Sequence, residues 1–401
     1  MAHVLDGIRV ADFSRIFAGP DATQILGDLG ADIIKIEDPR GGDECRYLGL
    51  TRAELEAMGG GPSPSFLSFN RNKRSLTLDL ATEAGRGVAT KLIARADVVV
   101  NNFRPGTMER WGLGYEAMRA SHPGLIYCDF QAYGPVGPLA DIGANDLALQ
   151  AFSGLMSITG EEDGGPARAG GAIIDLHASL AIVSGILAAL YHRERTGEGQ
   201  RLDTSLMLSS AHLMSYFYQD YWLTGKMHRR MGTANHLSVP NQAFPTRDGH
   251  VVIIAPSDEM WRRCAEALDP ARLAREEYKT ASERLRLRHE VVEAIAAVTR
   301  ALTNAEVHAR LSAAKVNVAV VQTIGKAADH PQLQAVGGVF HFPEGEGARN
   351  YVGTPFRLHE TPAEMRRPPP ALGEHTHELL TECGFSQKEI DALRAAGALG
   401  A

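Results

Sequence analysis

The sequence has few cysteines, few aromatic residues (6%) and no excess of positive charge. Its four cysteines, Cys45, Cys128, Cys264 and Cys383, are far apart and form no CxxC pair, which argues against a disulfide framework and a zinc site. The formal net charge of -7 disfavours a nucleic-acid partner. The first residues lack a basic segment followed by an apolar one, so no secretory leader is indicated. We therefore expect a cytoplasmic protein without a bound metal.

The longest apolar stretch, residues 178–191, is predicted to be a helix that is too short to span a bilayer and that contains Ser and Gly. A buried core helix fits this stretch better, so no membrane partner is expected. With 401 residues, of which 44% are hydrophobic, the chain is long enough for two or three domains with a large core.

Strands and helices are predicted to alternate along the first third of the chain. The predicted strands are residues 8–13, 32–37, 96–100 and 124–131. The predicted helices are residues 21–30 and 82–95, each between two of the first three strands. This order predicts a parallel sheet flanked by helices. The first turn, Phe17-Ala18-Gly19-Pro20, lacks the G-x-G-x-x-G pattern of dinucleotide-binding folds, so the residues give little support to NAD binding.

Asp175 follows a short apolar segment, Ile173-Ile174, that is predicted to be a strand, and it precedes a helix predicted over residues 176–193. The free amides and the dipole at a helix N-terminus favour negative charge, so we expect this carboxyl group to be ionised. An ionised carboxylate can act as a nucleophile. Asp is also a favoured N-cap residue, and the local pattern alone leaves both roles open.

Two polar segments are candidates for binding phosphate. Residues 69–75 contain Asn, Arg and Lys without any acidic residue, which fits either a solvated charged surface or a phosphate site. The segment Asn101-Asn102-Phe103-Arg104 follows a predicted strand, and ligands bind at the carboxyl ends of strands in open α/β sheets. Its aromatic ring can stack on an adenine, and its guanidinium group can pair with a phosphate.

Short motifs spread over nearly the whole chain carry a family resemblance. They are Leu5-Asp6-Gly7-Ile8-Arg9-Val10, Ala18-Gly19-Pro20, Gly30-Ala31-Asp32-Ile33-Ile34-Lys35-Ile36-Glu37, Asn72-Lys73-Arg74-Ser75, Asn102-Phe103-Arg104-Pro105-Gly106, Arg110, Gln150, Ser153-Gly154, Asp175, Thr196-Gly197-Glu198-Gly199-Gln200, Gln242-Ala243-Phe244, Asp248-Gly249 and Leu372-Gly373-Glu374-His375-Thr376. In their order and spacing the chain resembles the family III CoA-transferases, a group that also contains the 2-methylacyl-CoA racemases.

The resemblance implies an α/β fold with a large Rossmann-like domain of parallel strands and helices, and a smaller α/β domain joined to it by long linkers. It also implies a homodimer in which two chains form interlocked rings. The expected segments are residues 1–200 for the N-terminal part of the large domain with the CoA site and the nucleophile, 201–225 for a linker helix, 226–325 for the small domain, 326–350 for a linker and 351–401 for the return to the large domain.

The resemblance further implies an enzyme that moves CoA from an acyl-CoA to a carboxylic acid, with CoA esters as substrates and no prosthetic group. Asp175 would attack the thioester to form a mixed anhydride and then an aspartyl-CoA thioester, and Asp146 would support it. The residues that match the CoA site of the family are Arg15, Ile16, Ala18, Lys73, Asn102, Phe103, Arg104 and Arg110.

Two alternatives remain beside the transferase. The racemases carry a histidine at the position of Asn145, and an amide cannot accept a proton from the α-carbon, so Asn145 favours transfer over epimerisation. A non-catalytic protein that binds CoA esters is the second alternative, and the presence of Asp175 argues against it. Phe17 stands where the oxalate-specific formyl-CoA transferases carry Gln, which argues against formate and oxalate as substrates.

The acceptor is predicted from the polar loop over residues 227–241, which the resemblance places over the active site. Arg229, Arg230 and His236 in this loop, together with Phe17, are the candidate substrate residues. A bidentate arginine is a natural partner for a second, unreacting carboxylate. We therefore expect a dicarboxylic acceptor with succinyl-CoA as the donor, although these residues also fit an ordinary solvated loop.

Overall fold

The computed structural model describes residues 3–57, 61–344 and 347–400. The strands are β1 Arg9–Asp12, β2 Asp32–Glu37, β3 Lys73–Thr77, β4 Val98–Asn101, β5 Ile126–Gln131, β6 Arg201–Ser205, β7 Asn241–Pro245, β8 His250–Ile254, β9 Asn317–Val320, β10 Val339–Glu344 and β11 Gly347–Val352. The helices are α1 Ala18–Asp28, α2 Arg52–Ala57, α3 Pro64–Phe69, α4 Glu83–Ile93, α5 Thr107–Arg110, α6 Tyr115–Arg119, α7 Asp146–Phe152, α8 Leu155–Ile158, α9 Ile173–Thr196, α10 Leu206–Leu213, α11 Ser215–Thr224, α12 Asp258–Leu268, α13 Pro270–Leu273, α14 Ala281–Arg286, α15 Arg288–Thr299, α16 Asn304–Ala313, α17 Ile324–Ala328, α18 Pro331–Ala335, α19 Thr376–Glu382 and α20 Gln387–Ala395.

The chain forms two compact units. Unit 1 contains residues 1–155, 169–225 and 334–401, and unit 2 contains residues 156–168 and 226–333. Residues 156–168, which the sequence analysis assigned to the large domain, therefore belong to unit 2.

Unit 1 is built on a six-stranded parallel sheet in the order β3-β2-β1-β4-β5-β6. In the central strand β1, Val10 lies opposite Ile33 and Val98. Successive side chains point to opposite faces, so Val10 and Val98 join a core with α1 and α9, while Ala11 and Val99 join a second core with α4, α19 and α20. Because helices cover both faces, the middle residues of β1 and β4, Val10-Ala11 and Val98-Val99-Val100, are apolar and buried. The predicted α/β class and parallel sheet are confirmed.

The predicted linker helix over residues 201–225 is wrong at its start. Residues 201–205 form β6, the edge strand of the sheet, and pair with β5 in parallel register. Pairing with an adjacent strand satisfies backbone groups that a local sequence pattern does not reveal. The remainder is two helices, α10 and α11, which meet at Met214 rather than running as one.

Unit 2 has a three-stranded antiparallel sheet in the order β7-β8-β9. Its core packs Phe244 and Val251 of the sheet against α12, α15 and α16. Strand β7 was not predicted. Helices α14 and α15 follow each other directly, with Leu287 between them.

Helix α9 is longer than predicted. It is 24 residues long, and an 18-residue window of it has a mean hydropathy of 2.0, enough in length and composition to cross a membrane, so the prediction that it is too short is wrong. In unit 1 it packs against α1 with Ile174, Ala178 and Ile182 buried, as a core helix does. Leu176 and Leu180 on another face of the helix remain exposed.

Candidate active site

Asp175 lies in the first turn of α9, which begins at Ile173, so the prediction of a strand at Ile173-Ile174 is wrong. The N-cap position is Ala172, and Asp175 is therefore not the cap. Asp146 of α7 satisfies the free amides instead, since its Oδ2 accepts hydrogen bonds from the backbone N of Ile174 at 2.8 Å and of Asp175 at 3.3 Å. This cap from another helix fixes the backbone of Asp175 without using its carboxyl group.

Asp146 is buried and is held from its other side by Gln150. The Gln150 Nε2 donates to Asp146 Oδ1 at 2.5 Å, and the Gln150 Oε1 accepts from the backbone N of Ala169 at 2.9 Å. The sequence analysis did not assign Gln150 to the site, although its position one helical turn after Asp146 is a signal for such a contact. Asn145 is the N-cap of α7, and its Oδ1 accepts from the backbone N of Ala148 at 3.2 Å.

Burial, followed by the negative charge of Asp146, raises the pKa of Asp175 from 3.8 to about 7. The expectation that the helix start keeps this carboxyl group ionised is therefore wrong below neutral pH, because desolvation outweighs the helix dipole. Near pH 7 the group is about half ionised, and its ionised form is more basic than an ordinary carboxylate. Strongly shifted groups of this kind are concentrated at functional sites.

The turn between β1 and α1 carries several predicted CoA residues. Asn102 holds Arg15 twice, because its Oδ1 accepts from the backbone N of Arg15 at 3.0 Å and its Nδ2 donates to the backbone O at 2.8 Å. The backbone N of Ile16 donates to Asp43 Oδ1 at 3.0 Å. Ile16 has a φ of 73°, a left-handed conformation that is strained for a β-branched residue. The surrounding side chains therefore impose the shape of this turn.

A buried ion pair between Lys35 and Asp43 stabilises the turn between β1 and α1, and the sequence analysis did not predict it. The Lys35 Nζ donates to Asp43 Oδ2 at 2.9 Å and to the backbone O of Ser14 at 3.0 Å, and both charged side chains are fully buried. After the turn, the Phe17 ring lies 5.0 Å from that of Phe69. Ala18 is buried as the first residue of α1.

Three more predicted CoA residues lie around the loop after β4. The Arg15 guanidinium lies 5.2 Å from the centroid of the Phe103 ring, and Trp111 packs edge-on against the same ring at 5.2 Å. Phe103 and Arg104 line a cavity of about 330 Å³ at the carboxyl ends of β4 and β5. Arg110 is exposed and forms a hydrogen bond within α5. The structure thus brings Arg15, Phe103 and Arg104 to one edge of the sheet.

The basic segment over residues 69–75 is neither a solvated surface nor an open phosphate site. Lys73 is fully buried, and its ammonium group donates to Asp12 Oδ2 at 3.2 Å and to two further oxygens at 2.8 and 3.0 Å. Arg71 forms two hydrogen bonds to Asp28, at 2.9 and 2.6 Å. All three donors of Lys73 are engaged, so the structure does not support it as a direct CoA ligand.

The predicted acceptor residues lie in unit 2. The Arg229 Nη2 is 3.0 Å from Glu162 Oε1, and the Arg230 Nε donates to the backbone O of Gly164 at 3.1 Å. The His236 ring lies edge-on to His228 with centroids 4.6 Å apart. Arg229 and Arg230 therefore connect the two segments of the chain that form unit 2.

All four cysteines are buried as free thiols. Within residues 3–57, 61–344 and 347–400, no group of three or more His, Cys, Asp and Glu side chains could hold a metal ion.

Comparison with known proteins agrees with this architecture. Residues 5–376 match the model of CoA-transferase family III. The chain is 36% identical to the succinate–glutarate CoA-transferase of Agrobacterium fabrum, over 94% of this chain and 95% of that protein. It is 37% identical to the succinyl-CoA:mesaconate CoA-transferase of Haloarcula marismortui, over 95% and 96%, and 33% identical to the human succinyl-CoA:glutarate CoA-transferase, over 98% and 89%.

Among solved structures, a CAIB/BAIF family protein from Brucella suis is similar with a TM-score of 0.85 and 32% identity, covering 96% of this chain and all of that one. A parallel sheet with helices on both faces defines an open α/β fold, in which ligands bind at the carboxyl ends of the strands. The chain belongs to family III of the CoA-transferases, as the family model and the relatives show, and CoA esters are the substrates of such enzymes.

Proposed function

We propose that the protein transfers CoA from an acyl-CoA to a carboxylic acid through covalent intermediates on Asp175. The Asp175 carboxylate attacks the thioester carbonyl, the C–S bond breaks, and an acyl-aspartyl anhydride and CoA thiolate form. The thiolate then attacks the aspartyl carbonyl and releases the donor acid, which leaves an aspartyl-CoA thioester. The acceptor carboxylate attacks that thioester to give a second anhydride and thiolate. Attack of the thiolate on the acceptor carbonyl yields the new acyl-CoA and restores Asp175.

The observation that carries this proposal is the environment of Asp175. A nucleophilic carboxylate must be held in place, partly shielded from water and basic enough to react. Asp146 fixes its backbone through two hydrogen bonds, and burial with the neighbouring charge raises its pKa to about 7. Two further groups, the thioester and the returning thiolate, would then react at a single prepositioned carboxyl group.

The site for CoA in this proposal lies at the carboxyl edge of the main sheet. Arg15, Ile16, Ala18, Phe103 and Arg104 contact CoA, and Arg110 lies nearby on α5. Arg15 and Arg104 provide guanidinium groups for the phosphates, and the face of Phe103 suits the adenine ring. Asn102 serves this site by holding the Arg15 turn.

The Asp175 proposal predicts that Asp175→Ala abolishes transfer but leaves CoA binding intact. Incubation of the wild-type protein with succinyl-CoA, without an acceptor, should add the mass of CoA less one water to the peptide that contains Asp175, and hydroxylamine should release the CoA. The matched control is Asp141→Asn, an exposed carboxyl group of unit 1. Turnover by Asp175→Ala at the wild-type rate, or modification of another residue, would contradict the mechanism.

The proposed substrates are a dicarboxylic acid as acceptor and succinyl-CoA as donor. Relatives that match along nearly the whole chain are named for succinate, glutarate and mesaconate. In this chain Arg229, Arg230 and His236 are the proposed contacts of the acceptor's second carboxylate. The side chain of Arg229 is 71% exposed and pairs with a partly exposed glutamate, so its guanidinium group can exchange that partner for a substrate carboxylate. Phe17 is proposed to line the acyl site.

Replacing Arg229 and Arg230 singly by Met should raise the acceptor KM at least tenfold and leave the donor KM nearly unchanged, because a lost charge-assisted hydrogen bond costs about 1.5–3 kcal/mol. Initial rates with glutarate and with butyrate measure the effect, and only the dicarboxylate should be affected. Arg300→Met, another exposed arginine of unit 2 paired with Glu293, is the control. Equal use of dicarboxylates by both variants, or a preference of the wild type for a monocarboxylate, would contradict the substrate proposal.

We also propose a cytoplasmic, interlocked homodimer without a nucleic-acid or membrane partner. Helix α9 buries one face in unit 1, yet Leu176 and Leu180 on another face are exposed in the single chain. A second copy of the chain would cover such apolar side chains. Sedimentation velocity tests the dimer, since a species with the mass of one chain at micromolar concentration would exclude it.

A further inference from the structure

The cavity at the carboxyl ends of β4 and β5 contains an unsatisfied polar group. Gln131, the last residue of β5, lines this cavity of about 330 Å³ and is only 8% exposed. Its Oε1 is buried and has no hydrogen-bond partner among residues 3–57, 61–344 and 347–400. A buried acceptor without a partner is costly, and in native proteins it commonly awaits a ligand or an ordered water.

The charges around the cavity limit what can enter it. Three carboxyl groups line it, those of Glu109, Asp129 and Asp203, against the two guanidinium groups of Arg104 and Arg201. Arg201 is already engaged, because its Nε lies 3.0 Å from Asp129 and its Nη2 lies 3.1 Å from Asp203. The cavity therefore repels a phosphate group and favours a neutral group that donates hydrogen bonds.

The aromatic side chain at the cavity further limits which ligand can bind there. Phe103 lines it, and a ring face is the surface on which a nucleobase stacks. A glutamine amide matches adenine in particular, since its oxygen accepts from the exocyclic amine and its nitrogen donates to the neighbouring ring nitrogen. Arg104 lines the cavity but is exposed, so its guanidinium group is left for the phosphates at the cavity mouth.

We propose that this cavity binds the adenine of CoA and that Gln131 determines base specificity by hydrogen bonding to the exocyclic amine. This inference rests on the CoA site proposed above and adds a residue that the sequence analysis did not single out. The phosphates lie outside the acidic cavity, and the base lies within it.

The test compares CoA with 1,N6-etheno-CoA, in which the exocyclic nitrogen is part of a ring and has no hydrogen to donate. The wild type should bind CoA roughly 5- to 150-fold more tightly than the etheno analogue, the range expected for one good bidentate contact with a base. In Gln131→Met this preference should fall to about one, through weaker binding of CoA alone. Gln387→Met, an exposed glutamine of α20, should keep the wild-type preference.

Isothermal titration calorimetry of free CoA and free etheno-CoA gives the answer without turnover, so it does not depend on whether the transferase proposal holds. With the succinyl esters of both, the same variant should raise the KM of the adenine form and leave kcat unchanged. Loss of thermal stability in Gln131→Met with an unchanged preference would show a purely structural role and overturn the inference. Equal affinity of the wild type for both forms would overturn it as well.

Discussion

Replacing Asp146 by Asn tests how the charge of this residue controls the nucleophile. In the wild type, burial and the Asp146 charge together raise the pKa of Asp175 to about 7, so at pH 6 about a tenth of the enzyme has an ionised nucleophile. Asn keeps an oxygen that can accept the backbone hydrogen bonds of α9 but removes the negative charge. The pKa of Asp175 should therefore fall, yet stay above 3.8, because burial is the larger cause and persists in the variant.

The assay is the single-turnover formation of the aspartyl-CoA thioester from succinyl-CoA, quenched and read by intact-protein mass between pH 5 and 8. The wild-type rate should rise with pH toward a plateau, with its midpoint at about 7. In Asp146→Asn the midpoint should move to lower pH, so that the rate at pH 6 is a larger fraction of the plateau than the tenth expected for the wild type. Titration of the substrate's own groups is common to both proteins and cancels in the comparison.

The exposed Asp141→Asn is the control for a change of net charge, and it should keep the wild-type midpoint. A midpoint in Asp146→Asn that equals the wild-type value, or lies above it, would refute the electrostatic reasoning. A rate independent of pH across this range would show that Asp175 does not titrate in the step measured.

Two further predictions follow from single contacts. Asp28→Asn should lower the free energy of unfolding by about 3–5 kcal/mol, because it leaves the buried guanidinium of Arg71 without its carboxylate. Urea denaturation at fixed protein concentration measures this free energy. A decrease below about 1 kcal/mol would show that the pair contributes no more than a surface ion pair. The amide of Asn145 is engaged as a helix cap, so a 2-methylacyl-CoA incubated in heavy water should take up no deuterium at its α-carbon; uptake at catalytic rates would show racemase chemistry.

Much of the sheet could be predicted because its strands are local apolar runs. The predicted segments near residues 8–13, 32–37 and 124–131 contain β1, β2 and β5. Edge strand β6 was missed because its Arg, Asp, Thr and Ser side chains do not form an apolar run, and its pairing with β5 bridges about 70 residues of chain. Long-range pairing of this kind leaves no trace in a local pattern.

The basic segment over residues 69–75 shows why charged residues are harder to interpret. Its partners come from distant parts of the chain: Arg71 pairs with Asp28, and Arg74 pairs with Asp32 and Glu382. A run of cations without neighbouring acids looks solvated in sequence, yet the fold supplies the acids. The left-handed Ile16 was equally hidden, because isoleucine is an unexpected residue there and the side chains that impose its conformation lie elsewhere in the chain.

Asp146 performs two tasks whose energetic effects oppose each other. Its ionised oxygens form charge-assisted hydrogen bonds to the first turn of α9, which stabilises that turn. The same charge, added to burial, makes ionisation of Asp175 unfavourable, and the change in pKa from 3.8 to about 7 corresponds to about 4 kcal/mol. Because the folded protein binds this proton more tightly than the unfolded chain, folding stability is lost as pH rises from about 4 to about 7. At neutral pH half of the molecules still have an ionised Asp175, so the nucleophile becomes more basic while half of the reactive form is kept. An uncharged residue at position 146 could accept the same backbone hydrogen bonds but would give a less basic nucleophile. The negative charge of Asp146 therefore raises the basicity of Asp175 in addition to stabilising the first turn of α9.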